Sequence, residues 1–506
     1  MKNNILNLGL TNCIKLVAVV LIAISQYAWA GDFNLPDLGT PSDSIMSPTK
    51  EKEIRDSIIN QIYEYDLVMS DPIIADYIEQ LGYRLAANSS NPKAPFDFFI
   101  VNNNVINASA YPGGLIVIFS GLFLKTESES ELAGVVAHEI AHATGRHISR
   151  AYANIKKTMI PTILGMVGAA LAAQYSDSRD APIAIAAATS ALQQQSMINF
   201  TRSNEYEADR VGISTLKKAG FNPMGMAGFF GTLLSEQPID KKYHAPEYSR
   251  THPLTINRVS EAKNRAQEAS VSEYTESELY PFVKERIRVL TKHIEIDSIN
   301  YYRKLFNDKD KADISNAELY GHALALHHAN KNSEALAVLK PIETTNQTAL
   351  IIAILEANII TALDWDKGSK MFASFYKMYP ENPIVIEPYI QILVKNKNFK
   401  NTKKARLLAR ALVQLYPQNA NYYQLLAVTN QNASKSIEAN EALAMKQHII
   451  HNNYRAVRIL KNILKDDLDY YQRARIESKV TEFESLITAK ERTREIMEEK
   501  TGRRRY

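Results

Sequence analysis

Two histidines and a glutamate form the strongest chemical signal in this sequence. His138 and His142 are four residues apart in a segment that we predict to be helical from Glu129 to about Arg150. On a helix this spacing places both imidazoles on one face, so that both can bind one metal ion. Glu139 follows His138 directly and can take a proton from a bound water, whose pKa a zinc ion lowers to about 7. The pattern H-E-x-x-H thus predicts a zinc hydrolase, although so short a pattern also occurs by chance.

A catalytic zinc site requires a third protein ligand and leaves the fourth position for water. His147 is excluded as this ligand, because zinc proteases with a third histidine follow H-E-x-x-H-x-x-G-x-x-H and His147 comes one residue too early. Glu205 is the other candidate. Asp209, one turn later on the same helix face, can accept the remaining N–H of a ligating histidine. The alternative is that both carboxylates belong to a solvated acidic face, as we expect for Glu207.

The two motifs together resemble the M48 metallopeptidases, whose signature is H-E-x-x-H followed by E-x-x-A-D. In this sequence they are His138-Glu-Ile-Ala-His142 and Glu205-Tyr-Glu-Ala-Asp209. The segment 107–114, N-A-S-A-Y-P-G-G, is similar to the strand and turn before the metal-binding helix of that family. The resemblance implies a zincin-like domain with Glu139 as general base. It also implies a single Zn²⁺ held by His138, His142 and Glu205.

His252, in the sequence Thr251-His252-Pro253, is a candidate for a second role at the site. It can stabilise the oxyanion of the tetrahedral intermediate. It can instead bind the metal as a fourth ligand and act as a latch, because a site closed by four protein ligands has no water to activate. A third alternative is an ordinary structural histidine. Residues 235–251 are polar and predict a loop that lets His252 move.

The first 30 residues are typical of a signal peptide. A sparse basic region precedes the apolar run 16–24, and Ala28-Trp29-Ala30 fits a cleavage site. We therefore predict export and cleavage after Ala30. The alternative, a membrane anchor, needs an apolar run of about 20 residues. Cys13 is the only cysteine of the sequence, so the mature chain has no thiolate for catalysis or metal binding.

The pattern of elements predicts a mainly α protein with a small β-sheet. Short β-rich runs occur at Phe96–Val101 and Leu115–Phe119. We expect the second run to lie along the cleft and to bind an extended substrate at its edge. The predicted divisions are a signal peptide at 1–30, an extended lead-in at 31–50, a zinc metalloprotease domain at 51–270, connecting helices at 271–310, a tetratricopeptide-repeat domain at 311–490 and a charged tail at 491–506.

Three helical segments after residue 310 share small residues, a Leu/Tyr seam and a closing proline, at Pro341, Pro380 and Pro417. A fourth segment, Tyr454–Leu464, lacks the proline. This pattern is typical of tetratricopeptide repeats, which stack into a solenoid with a concave binding face. The alternative is a generic helical bundle.

Residues 159–192 contain two apolar stretches rich in Ala and Gly, with Pro161 and Pro182 near their starts. Both stretches are shorter than the roughly 20 residues that a membrane span requires. We therefore favour a helical hairpin that packs on the protease or touches a membrane surface, over a transmembrane hairpin. Residues 193–220 then predict a long helix.

The resemblance covers the chain from the signal peptide to the repeats, and it implies where and on what the protein acts. It implies a periplasmic endopeptidase in the quality control and assembly of outer-membrane β-barrel proteins. The expected partners are unfolded or stalled barrel precursors, which the protein degrades or helps to fold, and the β-barrel assembly machinery, on which the repeats dock. The alternative is a repeat-based chaperone or scaffold with a largely latent protease site. A net charge of +4 gives no reason to expect a nucleic-acid partner.

Overall fold

The computed structural model of the protein describes residues 46–155, 180–235, 246–269, 273–292, 295–396, 398–488 and 491–493, with the backbone alone over 180–196. Their regular secondary structure is helical apart from one three-stranded sheet, which confirms the predicted mainly α fold. Among them, no helix has both the length and the apolarity of a membrane span. The predicted signal peptide and residues 159–179 of the apolar segment 159–192 lie outside the described residues.

The sheet consists of β1 Asp97–Val101, β2 Ala108–Tyr111 and β3 Leu115–Phe119. β3 is the central strand, parallel to β1 and antiparallel to β2. The expectation that Leu115–Phe119 offers an edge to a substrate is therefore wrong, because both of its edges are already paired. Alternation of side chains does not reveal the order of strands in a sheet. β2 is instead an edge strand of this sheet.

Besides a helical segment over 147–155, eight helices accompany the sheet in the part of the chain described up to residue 268. They are α1 Pro48–Glu64, α2 Pro72–Ala87, α3 Ser120–Lys125, α4 Glu129–Thr144, α5 Asp180–Lys218, α6 Met224–Ser235, α7 Glu247–Thr251 and α8 Ile256–Glu268. The second predicted apolar stretch and the predicted helix 193–220 belong to one helix, α5, of 39 residues. The predicted loop 235–251 is helical in its last part, where α7 leads directly to His252.

Helix α4 carries the H-E-x-x-H motif and ends earlier than predicted. The Ser128 side chain accepts the N–H of Glu131 and caps its start. At the other end, Gly145 is the C-cap and Arg146 has a φ of 49°, in the left-handed region. The predicted continuation to Arg150 is wrong, because this conformation breaks the helix. Helical backbone resumes over 147–155.

The described residues from 273 onward form a succession of helices. They are α9 Leu279–Leu290, α10 Glu295–Asp308, a 3₁₀ turn Lys311–Asp313, α11 Asn316–His328, α12 Asn332–Leu339, α13 Ala349–Leu363, α14 Trp365–Met378, α15 Pro383–Lys395, α16 Phe399–Leu415, α17 Ala420–Asn432, α18 Ser436–Ile449, α19 Asn453–Ile463 and α20 Tyr470–Ser485.

The prolines that close the predicted repeats mark helix ends. Helices α12, α14 and α16 end two residues before Pro341, Pro380 and Pro417, respectively. The restricted backbone before a proline favours such helix ends. Each of these three helices is the second helix of a pair. The fourth predicted segment forms α19, which is instead the first helix of the pair α19 and α20.

A hydrogen-bond network is among the contacts that join the protease helices to the helices that follow. Asp71 caps α2 by accepting the N–H groups of Ile73 and Ile74. The same carboxylate receives two hydrogen bonds from Arg286 on α9, at 2.6 and 2.7 Å. Arg286 also donates to the hydroxyl of Tyr320 on α11, at 2.8 Å. The apolar core around this network is continuous from α2 into the repeat-like helices, so the two regions stabilise each other.

Replacing Arg286 by methionine should lower the free energy of unfolding by about 3 kcal/mol, because it leaves the largely buried carboxylate of Asp71 without its cation. Urea unfolding of the full chain measures this. Arg265→Met is the matched control, since it breaks an ion pair with Glu261 whose side chains are both 41% exposed. The control should cost less than about 1 kcal/mol. Equal losses in the two variants would contradict the role assigned to Arg286.

Candidate metal centre

Four side chains from three segments of the chain converge at one point. His138 and His142 come from α4, Glu205 from α5, and His252 directly follows α7. One nitrogen or carboxylate oxygen of each lies within 4.8 Å of those of the other three. His147 is not part of this cluster, although it contacts the far side of the His142 ring.

The distances within the cluster suit a single small cation. Nε2 of His142 lies 3.0 Å from Nε2 of His138. The two oxygens of Glu205 lie 3.3 Å from His142 Nε2 and 3.5 Å from His138 Nε2. Two imidazoles and a carboxylate are the ligand set of many catalytic zinc sites. The residues present therefore fit a zinc ion.

The surroundings of His138 favour positive charge. Burial alone lowers the pKa of this imidazole, but hydrogen bonds with Asp209 and Glu205 outweigh burial and raise the pKa to about 9. His138 is completely buried, so this preference comes from the two carboxylates. A divalent cation satisfies the same negative surroundings.

Asp209 supports the site from behind, one turn after Glu205 on α5. Its Oδ1 lies 2.9 Å from Nδ1 of His138, which leaves Nε2 of that ring to face the cluster. Carboxylates in this position fix the tautomer of a metal-binding histidine. The structure thus places Asp209 where its spacing predicts.

Arg258 is a site residue that our sequence analysis missed. Thr255 caps α8, and Arg258 reaches from the first turn of this helix into the site. It donates two hydrogen bonds to Asp209, at 2.6 and 2.8 Å, and lies 2.7 Å from Oε2 of Glu205. Its guanidinium also packs 4.8 Å above the ring of Phe230. Its only sequence signal was a lone arginine shortly after His252.

This arginine and the histidines keep two buried carboxylates ionised. Burial raises the pKa of each carboxyl group, yet hydrogen bonds from His138, His142 and His252 hold the pKa of Glu205 well below its usual range. Burial also raises the pKa of Asp209, but Arg258 and His138 outweigh it and lower that pKa. Both groups are therefore anionic at neutral pH, as a metal ligand and a hydrogen-bond acceptor must be.

Glu139 is fixed by one oxygen and leaves the other available. Its Oε2 accepts the N–H of Ala110 on β2, at 2.8 Å. Its Oε1 is buried and has no hydrogen-bond partner among the described residues. This Oε1 lies 3.5 Å from Nε2 of His252. A general base requires such an oxygen, held beside the metal-binding face of its helix.

His252 lies among the metal-binding atoms. Its Nδ1 is 3.3 Å from His138 Nε2 and 3.2 Å from Oε2 of Glu205. Its ring stacks on the ring of Tyr248, with centroids 4.7 Å apart. The backbone N–H of His252 donates to the backbone carbonyl of Tyr248. Of the three predicted roles, this position favours the fourth ligand. Our sequence analysis missed Tyr248, although its position four residues before His252 is a usable helical spacing.

Comparisons with known proteins agree with this geometry. Residues 72–266 match the model of peptidase family M48. A Yersinia pestis protein described as beta-barrel assembly-enhancing protease is 34% identical over 399 residues, 78% of this chain and 79% of its own. An Escherichia coli K12 protein of the same description is 35% identical over 331 residues, 65% of this chain and 66% of its own.

A relative from Vibrio cholerae is 33% identical over 434 residues, 84% of this chain and 86% of its own. Such identity over most of both chains, together with the family match across α4, α5 and α8, establishes the relationship. The chain is therefore a metalloendopeptidase that belongs to peptidase family M48, among the β-barrel assembly-enhancing proteases.

Proposed function

We propose that the protein is a periplasmic zinc endopeptidase that acts on outer-membrane β-barrel proteins. The convergence of His138, His142 and Glu205 beside Glu139 is the observation that carries the zinc-dependent chemistry. The substrate class rests on the description of the relatives as beta-barrel assembly-enhancing proteases. The compartment rests on the predicted signal peptide with cleavage after Ala30.

The chain's own residues account for the proton transfers of peptide hydrolysis. A zinc ion bound at the site would activate a water molecule and polarise the scissile carbonyl. Glu139 takes the water proton on Oε1 and returns it to the leaving amine. The hydrogen bond from Ala110 to Oε2 holds the carboxylate in this orientation. Asp209 and Arg258 keep His138 and Glu205 aligned.

We further propose that an extended substrate binds at the free edge of β2. β2 is paired on one side only among the described strands, and its residue Ala110 contacts Glu139 directly. A peptide that adds a strand to this edge gains backbone hydrogen bonds and passes the catalytic carboxylate. Unfolded barrel precursors suit this mode of binding, because their strands are unpaired.

The position of His252 supports a latent protease. A protein ligand in the fourth position leaves no place for the catalytic water. In this proposal His252 is the latch, and the enzyme becomes active when α7 moves it away. The same position supports the alternative function, a repeat-based chaperone that uses proteolysis only in some states.

The proposal includes the division of the chain into domains and a role for each. A protease domain at 51–270 encloses the matched residues 72–266, and repeat helices at 311–490 would dock on the barrel assembly machinery. The residues 159–192 would pack on the protease or touch a membrane surface. The proposed roles of both regions rest on sequence patterns.

The substitution Glu139→Gln tests the chemistry. Glutamine keeps an oxygen for the N–H of Ala110 but cannot take a proton, so kcat for casein or an unfolded barrel precursor should fall by about 100-fold or more. Zinc content, measured by metal analysis, should stay at one per chain. Glu261→Gln, at an exposed ion pair, is the control. Cleavage at the unmodified rate by Glu139→Gln would remove Glu139 as the base.

The substitution His252→Ala tests the latch. If His252 closes the site, its removal should raise kcat/KM for an unfolded substrate severalfold while zinc stays bound by three ligands. Zinc-edge X-ray absorption should show one nitrogen ligand fewer than in the unmodified protein. Complete loss of cleavage with zinc retained would instead assign His252 to the oxyanion.

A further inference from the structure

His147 faces the side of His142 that points away from the metal centre. The Nδ1 atoms of the two rings are 2.9 Å apart. The rings meet edge to face, with centroids 4.8 Å apart and an angle of 89°. Because Nε2 of His142 faces the cluster, its hydrogen must be on Nδ1, where it can be donated to His147.

The turn after α4 is built to allow this contact. A Cβ on residue 145 would lie 2.5 Å from Nε2 of His147, so Gly145 is required there. Arg146 adopts the left-handed conformation that folds the chain back. It is held there by hydrogen bonds to Glu51 of α1, at 2.7 and 3.1 Å. A non-glycine residue with positive φ is costly and persists only where its surroundings hold it.

A carboxylate lies on the other side of His147. Nε2 of His147 is 3.6 Å from Oε2 of Glu207, and Arg150 donates to the same oxygen at 3.0 Å. Glu207 is thus not the purely solvated residue that its offset position predicts. A carboxylate at this end favours the hydrogen of His147 on Nε2 and leaves Nδ1 as an acceptor.

We propose that His147 is a positioning residue, which accepts a hydrogen bond from Nδ1 of His142 and so holds the Nε2 of His142 toward the metal. The sequence excludes His147 as a ligand, and the structure gives it this different role. Metal-binding histidines are commonly oriented through their second nitrogen, and loss of the partner weakens metal binding about 10–100-fold. This inference rests on the proposed zinc site.

The test compares His147→Leu with His147→Asn in the full chain. Leucine removes the acceptor, so the zinc dissociation constant, measured by competition with a chromogenic chelator, should rise about 10–100-fold. Asparagine places Oδ1 near the position of Nδ1 and should restore zinc affinity to within a few fold of the unmodified protein. His328→Leu, on an exposed face of α11, is the matched control and should not change affinity.

Each outcome decides a different point. Absence of zinc binding by the unmodified protein would refute the proposed zinc site itself. Zinc affinity of His147→Leu within twofold of the unmodified protein, or of His147→Asn as weak as the leucine variant, would overturn the positioning role. A lower unfolding temperature of both metal-free variants, with unchanged zinc affinity, would make His147 merely structural and would also overturn it.

Discussion

A buried guanidinium balances the charge of two buried carboxylates at the metal centre. Arg258 lies between Asp209 and Glu205, and its side chain is almost completely buried with them. Two carboxylates so close in a low-dielectric interior could not both stay ionised without a cation. The arginine supplies that charge at Oε2 of Glu205, from 2.7 Å. It thereby leaves Oε1 of Glu205 to face His142.

This arrangement explains why the site needs segments that are distant in sequence. α4 supplies two imidazoles, α5 two carboxylates, and α8 the arginine that neutralises them. Close helix packing makes the distances possible. A Cβ on Gly134 of α4 would lie 2.8 Å from the backbone of Met226 on α6, so only glycine permits this approach. A defect in packing would therefore separate the ligands without altering any of them.

The sequence was sufficient for the elements whose signal is a fixed spacing along one helix. The pairs His138/His142 and Glu205/Asp209 are of this kind. It was insufficient where the determinant is tertiary. The contacts of Arg258 depend on how separate helices pack, and the contact of His147 with His142 depends on the left-handed turn at Arg146. The end of α4 was misplaced because the left-handed residue is an arginine rather than a glycine, and the edge of the sheet was misplaced because strand order does not follow from side-chain alternation.

Helix α1 contacts both the turn that follows α4 and the loop between α18 and α19. At its start, Glu51 binds Arg146 and Ser149 after α4. Further along, Asn60 donates to the carbonyl of Ile450, at 3.1 Å.

A second contact between these regions lies beside the first, where Asp56 of α1 is 3.2 Å from His451. These contacts connect the loop between α18 and α19 with the turn of His147 through one helix. Such a helix couples two sites only if it has two discrete arrangements. The contacts from the repeat-like helices to His142 therefore pass through α1 and then through the turn of Arg146 and His147.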